Sequence, residues 1–176
     1  MAGLTSQERL QPSLIDRLTD NDPRSRVESA EARVLSRQQL RAAVLRDLGW
    51  LFNTTRQQPS KGSGLDDELA RWEHAPDARR SVVNYGLPPM AGETMGSLDF
   101  EEIEANIHQA LVDFEPRIDA DTLDVELSLE GGMRDHQNAL RLIIRGKLWN
   151  QPVPLDILLS ADVDVETGGI SVKDMR

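Results

Sequence analysis

The sequence predicts an α+β fold in which N-terminal helices pack on a C-terminal antiparallel meander of three to four strands. Apolar residues recur at intervals of three and four in residues 35–52 and 97–114, a pattern typical of amphipathic helices. From Leu123 onward apolar and polar residues alternate, a pattern typical of half-buried strands. The chain has 176 residues, which suits one such domain with an appended segment.

Residues 1–34 are predicted to be a flexible N-terminal segment with a short amphipathic docking helix. Leu14 and Leu18 lie four residues apart and share one face of that helix. Isolated helices below about 12 residues are marginal in water, so this one has to dock on something. The sequence leaves two possibilities open, which are its own domain and a groove on a partner.

Residues 35–176 are predicted to form the single α+β domain, which opens with a helix from Leu35 to Phe52. Ser36 and Gln39 have the spacing of a capping box. A second, shorter helix is expected from Pro76 through Tyr85, with Gly86 as its left-handed cap.

The third helix begins at Ser97 or Asp99 and runs to Phe114. Its end breaks local rules, because Asp113 and Glu115 place negative charge at the negative end of the helix dipole. Twelve acidic residues and a single base, Arg117, occur from position 93 to position 130. Either Pro116 ends the helix and Arg117 neutralises Glu115, or this turn is a functional site.

Three alternating runs follow, and the charges on their polar faces predict the strand order. The first run, residues 123–130, carries acids; the second, residues 140–148, carries Arg and Lys; the third, residues 153–165, carries acids again. An antiparallel meander would pair these faces across strands. Gly168 and Gly169 allow a turn into a last strand, residues 170–173.

Composition excludes several function classes. The net charge of −10 argues against a nucleic-acid-binding surface, and no run of residues is long and apolar enough to span a membrane. With no leader-like N-terminus and no cysteine, a cytoplasmic protein is expected. The three histidines have no partner at metal-ligand spacing, so no metal, cofactor or catalytic residues are predicted.

The stretch from Phe114 to Ile118 resembles the Glu-Pro-Arg signature of the baseplate-wedge family shared by contractile-tail phages and type VI secretion systems. Further stretches that fit the secretion-system branch are residues 13–18, 45–54, 81–88 and 151–155. The resemblance implies a structural wedge subunit at the base of a contractile sheath. The partners it implies are the wedge subunits TssF, TssG and TssK and the sheath proteins TssB and TssC.

Eight residues are expected to bind partners. The resemblance marks Glu115, Pro116, Arg117 and Ile118 as a docking turn, at which charge reversal should spare the isolated fold. The short helix adds Leu14 and Leu18. Leu155 and Ile157 belong to the third strand, which is predicted to be an open edge that accepts an added strand. The rival is that residues 170–172 cover that edge and leave residues 123–130 open.

Two other functions stay as alternatives. One is a lysozyme-like glycoside hydrolase, because the family that the chain resembles has been labelled lysozyme-related and carboxylates such as Asp113 and Glu115 are plentiful. The sequence does not fix their separation, and few aromatic residues are present to line a sugar cleft. The other is a small adaptor that binds a single partner.

Overall fold

A computed structural model of the protein describes residues 13–19, 23–24, 36–57, 74–89, 99–130, 139–149, 154–164 and 167–175. Helices precede the sheet within these ranges, which confirms the predicted α+β fold. The helices are α1 (Leu14–Leu18), α2 (Arg37–Phe52), α3 (Pro76–Arg79) and α4 (Phe100–Phe114), with 3-10 turns at Val82–Asn84 and Ala120–Thr122. The strands are β1 (Asp124–Glu130), β2 (Ala139–Leu148), β3 (Leu155–Asp164) and β4 (Ile170–Asp174).

The strands form one antiparallel sheet in the order β1-β2-β3-β4, as the alternating runs predicted. Its inner face is apolar and packs against α2 and α4, because the side chains of alternate residues point to the same face. The most deeply buried members of this core are Leu48, Leu142, Ile144 and Leu148, which have no exposed surface.

The outer face of the sheet carries the predicted charge alternation. Arg145 of β2 pairs with Asp124 and Glu126 of β1, at 2.9 and 2.8 Å. Lys173 of β4 reaches Asp162 of β3 at 2.7 Å, so the alternation continues into the fourth strand. Charge thus matches each strand to its neighbour while the apolar face fixes the register.

The prediction that β3 is an open edge is wrong. β4 pairs with β3 from Leu159↔Asp174 to Val163↔Ile170, and Gly168 has the positive φ of 72° that the tight return requires. The rival arrangement is therefore the observed one, and β1 and β4 are the edge strands of the described sheet.

A side chain from a helix contacts each of these edges. On β4, the Asn53 amide donates to the Ile170 carbonyl at 2.8 Å and accepts from its N–H at 3.0 Å. On β1, the N–H of Leu127 donates to the Glu104 carboxylate of α4 at 2.7 Å. In addition, Arg41 of α2 forms a bidentate ion pair with Asp174 at the far end of β4. Its Nε and Nη2 atoms donate to the two carboxylate oxygens, each at 2.9 Å.

The helix boundaries follow the local signals with one exception. Ser36 and Gln39 form the predicted capping box on α2, and Asp99 caps α4. However, α3 ends at Arg79 instead of continuing to Tyr85, because Ser81 has extended backbone and a separate 3-10 turn follows. The connection between the first two predicted strands, residues 131–138, and most of the segment 1–34 lie outside the described residues.

Gly86 joins this region to the end of α2. The Leu87 N–H donates to the Thr54 carbonyl and the Arg56 N–H donates to the Leu87 carbonyl, both at 2.8 Å. Gly86 has a φ of 125°, and a Cβ there would lie 2.2 Å from the Thr54 oxygen. Only glycine fits this close approach, which fixes the position of the neighbouring Tyr85.

Candidate docking site at the Glu-Pro-Arg turn

The helix α4 ends in a tight turn. Glu115 is its C-cap, with φ −123° and ψ 72°, and its N–H donates to the Leu111 carbonyl at 2.9 Å. Pro116 disfavours helical backbone in the residue before it, so the helix stops here. The Ile118 N–H then donates to the Glu115 carbonyl at 3.1 Å and closes the turn.

The Glu115 carboxylate lies inside this turn and is only 2% exposed. Arg117 Nε donates to Oε1 at 2.6 Å, Arg117 Nη2 donates to Oε2, and the Arg117 backbone N–H reaches Oε1 at 3.2 Å. Two parallel charge-assisted bonds of this kind fix geometry as well as charge. Burial lowers the pKa of Arg117, but its bonds to Glu115 and Asp47 outweigh that effect and raise the pKa above its ordinary value.

Asp47 of α2 extends this pair. Arg117 Nη2 donates to Asp47 Oδ2 at 2.6 Å, and Arg46 Nε donates to Asp47 Oδ1 at 2.8 Å. Arg46 in turn bonds Asp16 of α1 through Nη1. We call the series Glu115, Arg117, Asp47, Arg46 and Asp16 the ion-pair chain; it connects the turn, α2 and α1 by alternating charges.

The ion-pair chain holds α1 against its own domain. Asp16 also accepts from Ser13 in the capping box of α1. Burial raises the pKa of the Asp16 carboxyl, but Arg46 and Ser13 outweigh this and hold it below its usual value. Leu14 and Leu18 point outward, with 72% and 74% of their surface exposed. The helix thus docks through its polar side and leaves its apolar side open.

A cleft of about 330 Å³ lies between α1 and the turn. One wall is aromatic, because Tyr85 and Phe114 pack edge to face with ring centroids 5.2 Å apart. The Tyr85 hydroxyl donates to the Asp47 carbonyl at 3.2 Å. The lining residues are Ser13, Leu14, Ile15, Asp47, Leu48, Trp50, Leu51, Tyr85, Phe114, Glu115 and Arg117.

The structure brings only part of the predicted site together. Glu115, Arg117 and Leu14 meet at the cleft, and Pro116 and Leu18 are exposed.

The remaining three predicted residues do not lie at the cleft. Ile118 is 5% exposed and Ile157 is 4% exposed, since both belong to the hydrophobic core. Leu155 is partly buried against the same core, on a strand whose open edge was wrongly predicted. The contact predicted at Ile118, Leu155 and Ile157 stays a prediction, and none of the three belongs to the cleft.

Sequence reasoning did not identify Asp47 or Arg46 as part of this site. Asp47 is 70 positions from Arg117 along the chain, and nothing in its local sequence distinguishes it from an ordinary surface acid. The one available signal was the resemblance of residues 45–54 to the family, a stretch that contains both residues.

The family model of baseplate wedge protein gp25 matches residues 38–153, which is more than half of the chain and includes the turn. The chain therefore belongs to the baseplate wedge protein gp25 family, a family of structural baseplate proteins. Searches of curated proteins and of solved structures each found no match. None of the described helices has the length and apolar character needed to span a membrane.

Proposed function

We propose that this chain is a structural wedge subunit of a type VI secretion baseplate, of the TssE kind, and that it docks other wedge subunits at the cleft between α1 and the Glu-Pro-Arg turn. The observation that carries the proposal is the ion-pair chain, which makes three separate segments into one surface. Such assembly would occur in the cytoplasm, with TssF, TssG and TssK as the partners.

Within this surface the residues have different roles. Glu115 and Arg117 shape the turn, since the Glu115 carboxylate is buried and fully engaged inside the subunit. Pro116, Leu14 and Leu18 are exposed and make the contact. Arg117 lines the cleft, and its Nη1 has no hydrogen bond among the described residues, so we expect Nη1 to donate to a partner carbonyl.

Charge reversal at Glu115 or Arg117, which the sequence favoured as a test, would bury two like charges and threaten the fold. The double variant Leu14→Ser/Leu18→Ser is sharper, because both side chains are exposed. Met175→Ser is its control, because Met175 is an apolar residue that is 52% exposed and lies away from the cleft, as the last described residue of the chain. Burying a leucine contributes about 1.5–3 kcal/mol, so we expect at least tenfold weaker binding per leucine.

The measurement is co-purification, followed by titration, of the chain with co-expressed TssF, TssG and TssK. Circular dichroism first establishes that each variant has the wild-type helix and strand content. Wild-type binding by Leu14→Ser/Leu18→Ser would refute docking at this face. No binding by the wild-type chain itself would refute the assignment to a secretion baseplate.

We further propose that the sheath is seeded by strand addition at β1. Support comes from the hydrogen bonds and ion pairs at the two edges: the C-cap Asn53 and Arg41 of α2 bond β4 at Ile170 and Asp174, while on β1 the helix α4 accepts one backbone hydrogen bond, from the Leu127 N–H to Glu104. An added strand needs a row of free backbone N–H and C=O groups. On β1 the Leu127 N–H becomes free when the Glu104 side chain moves away.

Proline tests this edge without breaking the sheet. The Leu127 N–H points away from β2, and N–H groups two residues apart point to the same side, so Val125→Pro removes an outward donor only. Val172→Pro does the same on β4, where the Ile170 N–H points outward. We expect Val125→Pro to stop polymerisation of TssB and TssC and Val172→Pro to permit it. Normal sheath growth on Val125→Pro would refute strand addition at β1.

The glycoside hydrolase alternative gains no support at these two carboxylates. Both oxygens of Glu115 accept from Arg117, and Asp113 accepts from Arg80 at 2.8 Å and from Gln109 at 2.9 Å. A catalytic pair needs one carboxylate free to act on the sugar and another free to protonate the leaving group. The single-partner adaptor stays distinguishable, since it would bind one wedge subunit and have no effect on the sheath.

A further inference from the structure

A side chain from a helix is bonded to each edge strand, and the bonding differs between the two edges. At β4, the Asn53 amide accepts from the Ile170 N–H at 3.0 Å and donates to the Ile170 carbonyl at 2.8 Å. At β1, the Glu104 carboxylate accepts from the Leu127 N–H at 2.7 Å. A carboxylate has no hydrogen to donate, so it cannot bond the Leu127 carbonyl as well.

Asn53 takes the place of a complete neighbouring strand residue. In an antiparallel pair, a hydrogen-bonded residue gives its N–H and its C=O to the same neighbour. Asn53 supplies both partners of such a pair at Ile170. Its amide also donates to the Gly49 carbonyl at 2.7 Å, which anchors it to α2. The β4 edge is therefore closed at Ile170.

Glu104 takes the place of a strand residue only in part. Its Oε1 lies where the carbonyl of an incoming strand would accept from the Leu127 N–H. The Leu127 carbonyl points to the same side and receives no bond from Glu104. Glu104 is half-buried, so its side chain can turn to solvent while α4 stays folded. Freeing the Leu127 N–H then breaks one charge-assisted hydrogen bond.

We propose that Glu104 regulates strand addition at β1. In the free subunit its carboxylate occupies the bonding position at Leu127 and keeps the edge from pairing with unselected strands. An incoming strand first donates an N–H to the Leu127 carbonyl, and its own carbonyl then displaces Glu104. The inference rests on the proposed function, because it names the residue that controls the strand addition proposed above.

Two substitutions of Glu104 should act in opposite directions. Glu104→Ala removes the acceptor and leaves the Leu127 N–H free. Glu104→Gln keeps an acceptor of the same shape and adds a donor, so its amide can bond both groups of Leu127, as Asn53 does at Ile170. Glu101→Ala is the control, because Glu101 is an exposed acid one turn earlier on α4 and has no hydrogen bond to the described part of the sheet.

The first measurement is amide hydrogen exchange of the isolated full chain, which needs no partner. A hydrogen bond to a charged group is worth about ten- to a hundredfold in an equilibrium constant, so the Leu127 amide should exchange faster by about that factor in Glu104→Ala. In Glu104→Gln and Glu101→Ala it should stay protected. The Glu126 amide points toward β2 and should exchange equally in all variants, which establishes that the sheet is intact.

The second measurement is the rate at which TssB and TssC polymerise on a reconstituted baseplate that contains each variant. Growth should be up to about tenfold faster with Glu104→Ala, because the incoming strand no longer has to displace a side chain. It should be slower with Glu104→Gln and unchanged with Glu101→Ala.

Four results would overturn the inference. Equal exchange of the Leu127 amide in the wild type and Glu104→Ala would mean that Glu104 does not protect this N–H. If exchange differs but both Glu104 variants support growth at the wild-type rate, while Val125→Pro stops growth, strand addition at β1 stands and its regulation by Glu104 fails. If Val125→Pro leaves growth unchanged, the proposed strand addition fails and the inference fails with it. If Glu104→Ala forms dimers on size-exclusion chromatography and supports no growth, the edge pairs with a second copy of this chain.

Discussion

Replacing Arg117 with methionine should destabilise the protein strongly, because it leaves the Glu115 carboxylate buried without its cation. Methionine keeps the length and the apolar stem of the side chain, so the change removes mainly the guanidinium. The carboxylate loses the Nε and Nη2 bonds, and Asp47 loses its bond to Nη2. The backbone N–H of residue 117 remains to donate to Oε1.

The magnitude follows from burial. The Glu115 side chain is 3% exposed and that of Arg117 is 24% exposed, so solvent screens this pair little. Breaking a buried pair by removing one partner costs about 3 kcal/mol or more, because the remaining charge is left uncompensated. For a chain of this size that corresponds to a fall of roughly 6–12 °C in the unfolding midpoint.

Arg145→Met is the matched control. Arg145 also contacts two carboxylates, Asp124 and Glu126, but its side chain is 46% exposed, so its removal should leave the midpoint nearly unchanged. A double variant, Glu115→Gln with Arg117→Met, removes the buried charge as well. Its free energy of unfolding should be higher than that of Arg117→Met by about 1 kcal/mol or more.

The assay is thermal and urea unfolding of the wild type and the three variants at neutral pH. If Arg117→Met and Arg145→Met unfold at the same midpoint, or if adding Glu115→Gln worsens Arg117→Met, the buried pair does not stabilise the turn.

Three further predictions concern other parts of the chain. Gly86→Ala should lower the free energy of unfolding by about 3 kcal/mol or more, because it strains a left-handed backbone and breaks two backbone hydrogen bonds. Gly49→Ala in α2 has open space around its Cβ position, so it should raise the free energy of unfolding by about 0.5–1 kcal/mol. The measurement is the urea midpoint of each variant. Equal midpoints for Gly86→Ala and Gly49→Ala would contradict the close approach at Gly86. The contribution of Asp16 to docking α1 should be present above its unfolded pKa of 3.8 and be lost as pH falls through its lower folded pKa. Hydrogen exchange of residues 14–18 should therefore show more protection in the wild type than in Asp16→Asn above pH 3.8, and the difference should be lost at lower pH; equal protection at neutral pH would contradict this. Burial raises the pKa of Tyr85, and the charges of Asp47 and Glu115 raise it further. The contribution of Tyr85 to folding stability is therefore complete below pH 10.0 and is lost as the pH rises through the pKa of the folded state. Stability between pH 9 and 12 should therefore fall more for the wild type than for Tyr85→Phe, and parallel curves would refute this.

Local signals predicted most of the fold correctly. Capping residues gave the starts of α2 and α4, and the two-residue period gave all three main strands. These features depend on near neighbours in the chain, so sequence is sufficient for them. The error at β3 had a different origin, because only the partner across the Gly168 turn decides whether a strand is an edge.

The acidic stretch shows why the site was harder to predict than the fold. Counting charges from position 93 to position 130 indicated a strong negative field around a lone Arg117. In the structure, arginines from outside that window reach into it: Arg80 pairs with Asp113, and Arg145 pairs with Asp124 and Glu126. A window along the chain cannot include these cations, so it overstates the field.

The same reasoning explains the arrangement of the ion-pair chain. Every inner member, Arg117, Asp47 or Arg46, lies between two opposite charges, while Glu115 and Asp16 each form one ion pair in it. A change at Asp47 therefore affects both the turn and α1, whereas a change at Asp16 affects α1 alone. Because the buried end of the ion-pair chain is at Glu115 and the exposed leucines are on α1, a partner that binds those leucines would contact the opposite end, at Asp16. In the docking proposed above, the partner would therefore meet α1, while Glu115 and Arg117 hold the shape of the turn.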